Sequence, residues 1–163
     1  MKLNKKGFSL MELLIVAIVI AGFAAFTYPS YVSSIERARV SEAVQMLATI
    51  QAAQQKHFVN YEKYGEIFKD INDFTPAIDN FNPNNSAFST EYFTYELTNQ
   101  GYALATRINK QGTAVNKGYQ LEAYYEDDFI RCVINDSSED GEKVCSSLTD
   151  KNKVESGSYY PIY

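Results

Sequence analysis

The sequence has no tryptophan, one histidine and two cysteines in 163 residues. So few soft ligands exclude a zinc cluster. Basic residues are scarce as well: 15 Lys and Arg stand against 20 Asp and Glu, a net charge of −5. That is the wrong sign for a phosphate-rich partner, and no nucleic-acid binding is evident. Thirteen tyrosines and ten phenylalanines argue against a chain too polar to fold. The length suits one domain, or one domain with an appendage. Charge is missing most completely from one place. From Phe8 to Phe26, nineteen residues, Glu12 is the only charged side chain.

As a helix rising about 1.5 Å per residue, that run is about 28 Å long. It nearly matches a hydrocarbon core of about 30 Å and is long enough to span a bilayer. Lys2, Lys5 and Lys6 precede it, so the positive-inside rule places the N-terminus in the cytoplasm and the C-terminal part outside. A cleaved secretory signal fits poorly. Its apolar core would be about 7–15 residues with a small-x-small site behind it, whereas this run ends Ala25-Phe26-Thr27-Tyr28-Pro29. A plain anchor explains everything except Glu12. A carboxylate at the bilayer centre costs about 2.5–3.5 kcal/mol on insertion scales, and less toward the interface. No Lys or Arg within the run neutralises it. Its partner must come from another chain, from lipid headgroups or from a charge created later.

The segment Lys5-Lys6-Gly7-Phe8-Ser9-Leu10-Met11-Glu12-Leu13-Leu14-Ile15-Val16 resembles the processing site of type IV pilins and of their relatives, the pseudopilins of type II secretion. The resemblance implies that a prepilin peptidase cuts between Gly7 and Phe8 and methylates the new amino terminus at Phe8. It also implies that Glu12 is the acid used in assembly. The chemistry is coherent: the cut exposes a positive amine in an apolar layer, and Glu12 of a neighbouring copy can pair with it. The further partners implied are other copies in a helical filament, the inner-membrane pilus assembly machinery and the membrane itself. Cleavage would remove three of the 15 basic residues.

Gly22 and Pro29 would break a soluble helix. In a membrane segment they are tolerated and mark points of flexibility; a simple kink without a role in assembly is the alternative. From Ser30 to about Tyr64 the pattern becomes amphipathic. Val40, Ala43, Leu47 and Ile50 form one stripe, with Ala53, Phe58 and Tyr61 as its rough continuation. Glu36, Arg37, Arg39, Glu42, Gln51, Gln55 and Lys56 fall mostly off it. Arg37-Ala38-Arg39 reads as a solvated face, with headgroup or subunit contact as the alternative. His57 reads as a packing or surface residue, since no acid or nucleophile stands at a meaningful spacing.

Gly65 is placed to end the helix. Beyond it, Pro76, Pro83 and Asn82-Pro83-Asn84-Asn85 are turn chemistry. Strand signals occupy Tyr92–Leu97, Tyr102–Ile108, Tyr119–Tyr125 and Phe129–Ile134, with Asn99-Gln100-Gly101 as a turn. The expected fold is α+β: a long N-terminal helix packed on an antiparallel sheet of about four strands, as in type IV pilins. The expected organisation is a leader over 1–7, a membrane or filament-core helix over 8–29, an amphipathic helix over 30–64, a connecting loop over 65–91 and a sheet-bearing head over 92–163. The tyrosines of the head read as sheet packing, with subunit contact or adhesion as the alternative.

Cys132 and Cys145 are the only cysteines, and the expected topology puts both outside the cytoplasm. An oxidising compartment favours a disulfide, similar to the pilin bridge that staples the C-terminal segment; two free buried thiols are the alternative. Asp136-Ser137-Ser138-Glu139-Asp140-Gly141 imitates the start of a calcium loop, but Ser147 stands where a bidentate acid is required. A solvated acidic turn is the expectation, with no metal and no cofactor. Asn84-Asn85-Ser86 and Asn135-Asp136-Ser137 match a glycosylation triplet too common to use. The sequence therefore reads as a structural pilus subunit, not an enzyme, held in the inner membrane before assembly and extracellular after it. A type II secretion pseudopilin or a minor pilin is the near alternative, and a membrane-anchored extracytoplasmic binding protein the distant one.

Overall fold

The computed structural model describes residues 9–71, 74–79, 81–108, 119–126, 129–134, 139–148 and 159–162. The chain divides into two compact units, Met1–Glu36 and Arg37–Tyr163. One helix, α1 (Leu10–Tyr61, 52 residues), continues through Gly22 and Pro29. Its start is set by Ser9, whose carbonyl accepts the amides of Glu12 at 3.0 Å and Leu13 at 3.2 Å. Serine is a favoured residue there, and Ser9-Leu10-Met11-Glu12 has the serine-to-glutamate spacing of a helix start.

The helix does not end at Gly65. It ends at Tyr61, where Glu62 turns into the left-handed region at φ 55°. The Glu62 amide donates to the Phe58 carbonyl at 2.8 Å, a left-handed cap closed by a non-glycine residue.

In the second unit, six antiparallel strands lie side by side in chain order. They are β1 (Ala87–Ser89), β2 (Phe93–Leu97), β3 (Tyr102–Arg107), β4 (Tyr119–Tyr124), β5 (Ile130–Ile134) and β6 (Tyr159–Pro161). The four strands expected from sequence form the centre. Two three-residue strands add an edge each, too short to carry an alternation signal of their own. Gly101, at φ 86°, makes the β2–β3 turn, a conformation glycine adopts without steric cost.

Strand alternation selects the inner face. Phe88, Tyr95, Ala105, Leu121, Cys132 and Tyr160 are successive cross-strand partners. The first five are buried, in one core with Val40, Ala43, Val44, Leu47 and Ile50 of α1. Each large aliphatic side chain so buried contributes about 1.5–3 kcal/mol. The small Ala103, Ala105 and Ala123 are fully buried at the middle of the sheet. The outer face pairs Tyr102 with Tyr124 and Glu122 with Arg131. Arg131 also lies over the Tyr124 ring at 4.6 Å and the Phe129 ring at 4.5 Å.

Between α1 and β1 the described backbone is mostly irregular but anchored. Phe68, Phe74, Phe81 and Phe88 form an aromatic cluster with centroids 5.0 to 5.9 Å apart. A second helix, α2 (Glu139–Leu148), packs against β4, β5 and β6. It replaces the acidic turn expected over 136–141, of which 136–138 lie outside the described residues. From Glu139 onward the backbone is helix, not the loop that a calcium site needs.

Candidate assembly surface on the apolar helix

The first half of α1 is unlike any other described part of the chain. Leu10–Tyr28, nineteen residues of mean hydropathy 2.4, is entirely unburied. Leu13, Leu14, Ile15 and Val16 are consecutive and all exposed. At about 100° per residue, four consecutive side chains point in every direction around a helix. No face is reserved for water, so the surface must be covered all round by lipid or by other protein. At about 1.5 Å per residue the stretch is about 28 Å long, which suits a bilayer core.

Glu12 is exposed in the first turn of this surface. Its carboxylate makes no hydrogen bond or ion pair with another described residue. The partial positive charge of the helix N-terminus favours an acid there, but by less than the insertion cost of a carboxylate deep in lipid. A charge from outside the described chain is therefore the natural complement. Gly7 and Phe8, the expected cleavage and methylation positions, lie outside the described residues. At Gly22 an added Cβ would meet nothing within 4 Å, so no contact inside the chain requires glycine there. Two hydroxyls fold back onto the helix: Thr27 Oγ1 donates to the Phe23 carbonyl and Ser34 Oγ to the Ser30 carbonyl, each at 2.9 Å.

The second half of α1 is fixed to the head by polar contacts that periodicity did not reveal. Val40, Ala43, Leu47, Ile50 and Ala53 are buried, but Phe58 and Tyr61 are exposed. Gln51, Gln54 and His57 continue the buried face instead. Gln51 Nε2 donates to the Tyr124 carbonyl at 2.6 Å, and Gln55 Nε2 to the Tyr125 carbonyl at 3.1 Å. Gln54 brackets Gly65: its Oε1 accepts the Gly65 amide at 2.8 Å, and its Nε2 donates to the Gly65 carbonyl at 2.9 Å. His57 Nδ1 donates to the Lys63 carbonyl at 2.8 Å. These side chains satisfy backbone groups near the ends of α1 and β4, and at Gly65 the amide and carbonyl so satisfied are buried. Arg39 lies over the Tyr92 ring at 4.4 Å, so it packs on the head, whereas Arg37 is exposed. Tyr92 also meets Arg107, whose Nη1 donates to the Tyr92 carbonyl at 3.0 Å and to the Ile108 carbonyl.

Gly65 is required for close approach. A Cβ there would lie 2.9 Å from Asp70 Cβ and 3.1 Å from Ile71 Cγ2. Gly65→Ala should therefore cost about 1–3 kcal/mol by overpacking, read as a lower melting temperature by circular dichroism in detergent. An unchanged melting temperature would sink this account.

Tyr95 and Tyr125 are turned into the core, and their hydroxyls find no partner at hydrogen-bond geometry among the described residues. Burial pushes both phenols well above their ordinary range, and Glu42 adds to the effect at Tyr95. Thr90 near Tyr95, and Gln54 near Tyr125, offset a little of it. Cys132 of β5 and Cys145 of α2 are joined by a disulfide, with Cα atoms 5.5 Å apart and both residues fully buried.

No family model matches the chain. Two curated proteins, each described as Type IV major pilin protein PilE1 of Neisseria gonorrhoeae, are 36% identical to it over 62 residues. The match covers 38% of this chain and 38% and 34% of the two relatives, so it spans little more than a third of their length. With an exposed apolar helix at its N-terminal end and a long helix packed on an antiparallel sheet, the chain resembles the type IV major pilins in part of its sequence and has a pilin fold.

Proposed function

We propose that the chain is a structural subunit of a type IV pilus. Residues 1–7 are its leader, removed by a prepilin peptidase between Gly7 and Phe8, and Phe8 is N-methylated. Residues 8–29 hold the subunit in the inner membrane, with the N-terminus cytoplasmic, and then form the filament core. The connecting loop and the head, 65–91 and 92–163, lie outside the membrane on the surface of the extracellular filament. The observation that carries this reading is the exposed apolar helix with a single acid in its first turn.

Moving that helix from lipid to a bundle of like helices gains little from hydrophobic transfer, since lipid tails are as apolar as the side chains. Packing and charge pairing must drive assembly. Glu12 supplies the pairing, with the amine freed at Phe8 of a neighbouring copy as its partner. Gly22 and Pro29 give the helix room to adjust as it packs. The subunit needs no catalytic group: the peptidase and the assembly machinery act on it.

The amino-terminal sequence and intact mass of the protein recovered from cells test this reading. The expected result is a chain beginning at N-methylated Phe8. Recovery of a monomer that still carries residues 1–7 would overturn it.

A further inference from the structure

We infer that Tyr28 and Tyr31 form an interfacial anchor, seated among lipid headgroups at the end of the apolar helix remote from the N-terminus. The inference rests on the membrane-resident stage of the reading above. From Leu10 to Phe26 the span contains no tyrosine; its aromatic residues there are Phe23 and Phe26. Tyr28 and Tyr31 are the first tyrosines of the chain, and both rings are largely exposed, at 71% and 62%.

Their positions follow from helix geometry. At about 1.5 Å per residue, Tyr28 lies about 27 Å along the axis from Leu10, and Tyr31 about 4.5 Å further. A hydrocarbon core of about 30 Å puts its boundary between them. Being three apart, they share one side of the helix. A tyrosine ring is apolar along its body and polar at its tip, so it is most stable where one end meets acyl chain and the other meets water. The occupant of this surface is the glycerol and headgroup layer of the bilayer. Its consequence is a defined depth for the waiting subunit.

The chain has no tryptophan, so Tyr28→Trp and Tyr31→Trp each create a single emitter, and Val19→Trp gives a mid-span reference. The full-length variants are reconstituted into phosphatidylcholine vesicles brominated either high or low on the acyl chain. In Tyr28→Trp and Tyr31→Trp, emission should be blue-shifted from that in water and quenched about twofold more by the high bromines. Val19→Trp should show the reverse preference. Adding Tyr28→Ala and Tyr31→Ala to the Val19→Trp chain should weaken that preference as the helix loses its fixed depth.

If Val19→Trp is quenched by deep bromines while the 28 and 31 variants emit as in water, the anchor is wrong and membrane residence stands. If no variant is quenched, both fail. If the 28 and 31 variants are blue-shifted but unquenched, and the shift grows with protein concentration, a second helix is the occupant and the anchor is wrong.

Discussion

Glu12→Ala should leave membrane insertion intact and abolish filaments. Removing a carboxylate from an apolar helix lowers the cost of insertion, so the variant should fractionate with membranes at least as well as the unaltered chain. In the assembled state the balance reverses. The amine freed at Phe8 would lie in a dry helical bundle without its carboxylate. Stranding one member of a buried ion pair costs about 3–5 kcal/mol, which weakens each subunit addition by roughly two to three and a half orders of magnitude. Glu12→Gln separates charge from shape, because it keeps the size and a hydrogen-bonding oxygen but not the charge, and it should fail almost as completely. Electron microscopy of sheared surface filaments, beside a membrane immunoblot, reads both arms. Normal filament yield from Glu12→Ala would refute the pairing mechanism and would reduce Glu12 to a first-turn acid that favours the helix start.

Replacing both cysteines, Cys132→Ala with Cys145→Ala, should lower stability by about 3 kcal/mol, the chain-entropy value for a loop of this length. The sulfurs join residues 13 apart in sequence and tie α2 to β5. Both residues are fully buried, so two small cavities add to the loss. The melting temperature should fall by roughly 6–12 °C. Reductant should lower the unaltered chain by a similar amount and leave the double variant unmoved. Equal melting temperatures for the two proteins would show that the packing of α2 on β4 and β5 holds without the bridge.

Periodicity made the main architecture legible. The spacing of Val40, Ala43, Leu47 and Ile50 identified the buried stripe of α1 because aliphatic residues three and four apart share a face. The four central strands were visible for the equivalent reason at a period of two. What escaped has a common physical origin. Gln51, Gln54 and His57 occupy buried positions because distant carbonyls and an amide need partners there, and nothing local to those residues encodes that need. Hydrophobic pattern chose Phe58 and Tyr61 as the continuation, yet tertiary hydrogen bonding gave the place to polar residues. Gly65 suggested a helix end, but its lack of a side chain serves contact with Asp70 and Ile71. Glu62 makes the cap instead, a conformation that only tertiary context assigns to glutamate. For α2, the acidic run over 136–141 pointed to a turn, while the helix depends on Val144, Cys145 and Leu148 meeting the sheet. At the apolar helix, the lone acid could be read directly, since one carboxylate among nineteen otherwise uncharged residues stands out without any tertiary context.

Each strand's neighbour in the sheet is also its neighbour along the chain. The sheet can therefore close in one direction from β1 toward β6, the longest search being the last, from Ile134 past α2 to Tyr159. The helical stripe precedes all of them and offers a template from the outset. Shortening the chain from its far end therefore peels the sheet from one margin only. Loss of Tyr159–Pro161 would uncover β5 while the pairings from β1 to β5 persist, so the head should tolerate variation at that margin better than at its middle.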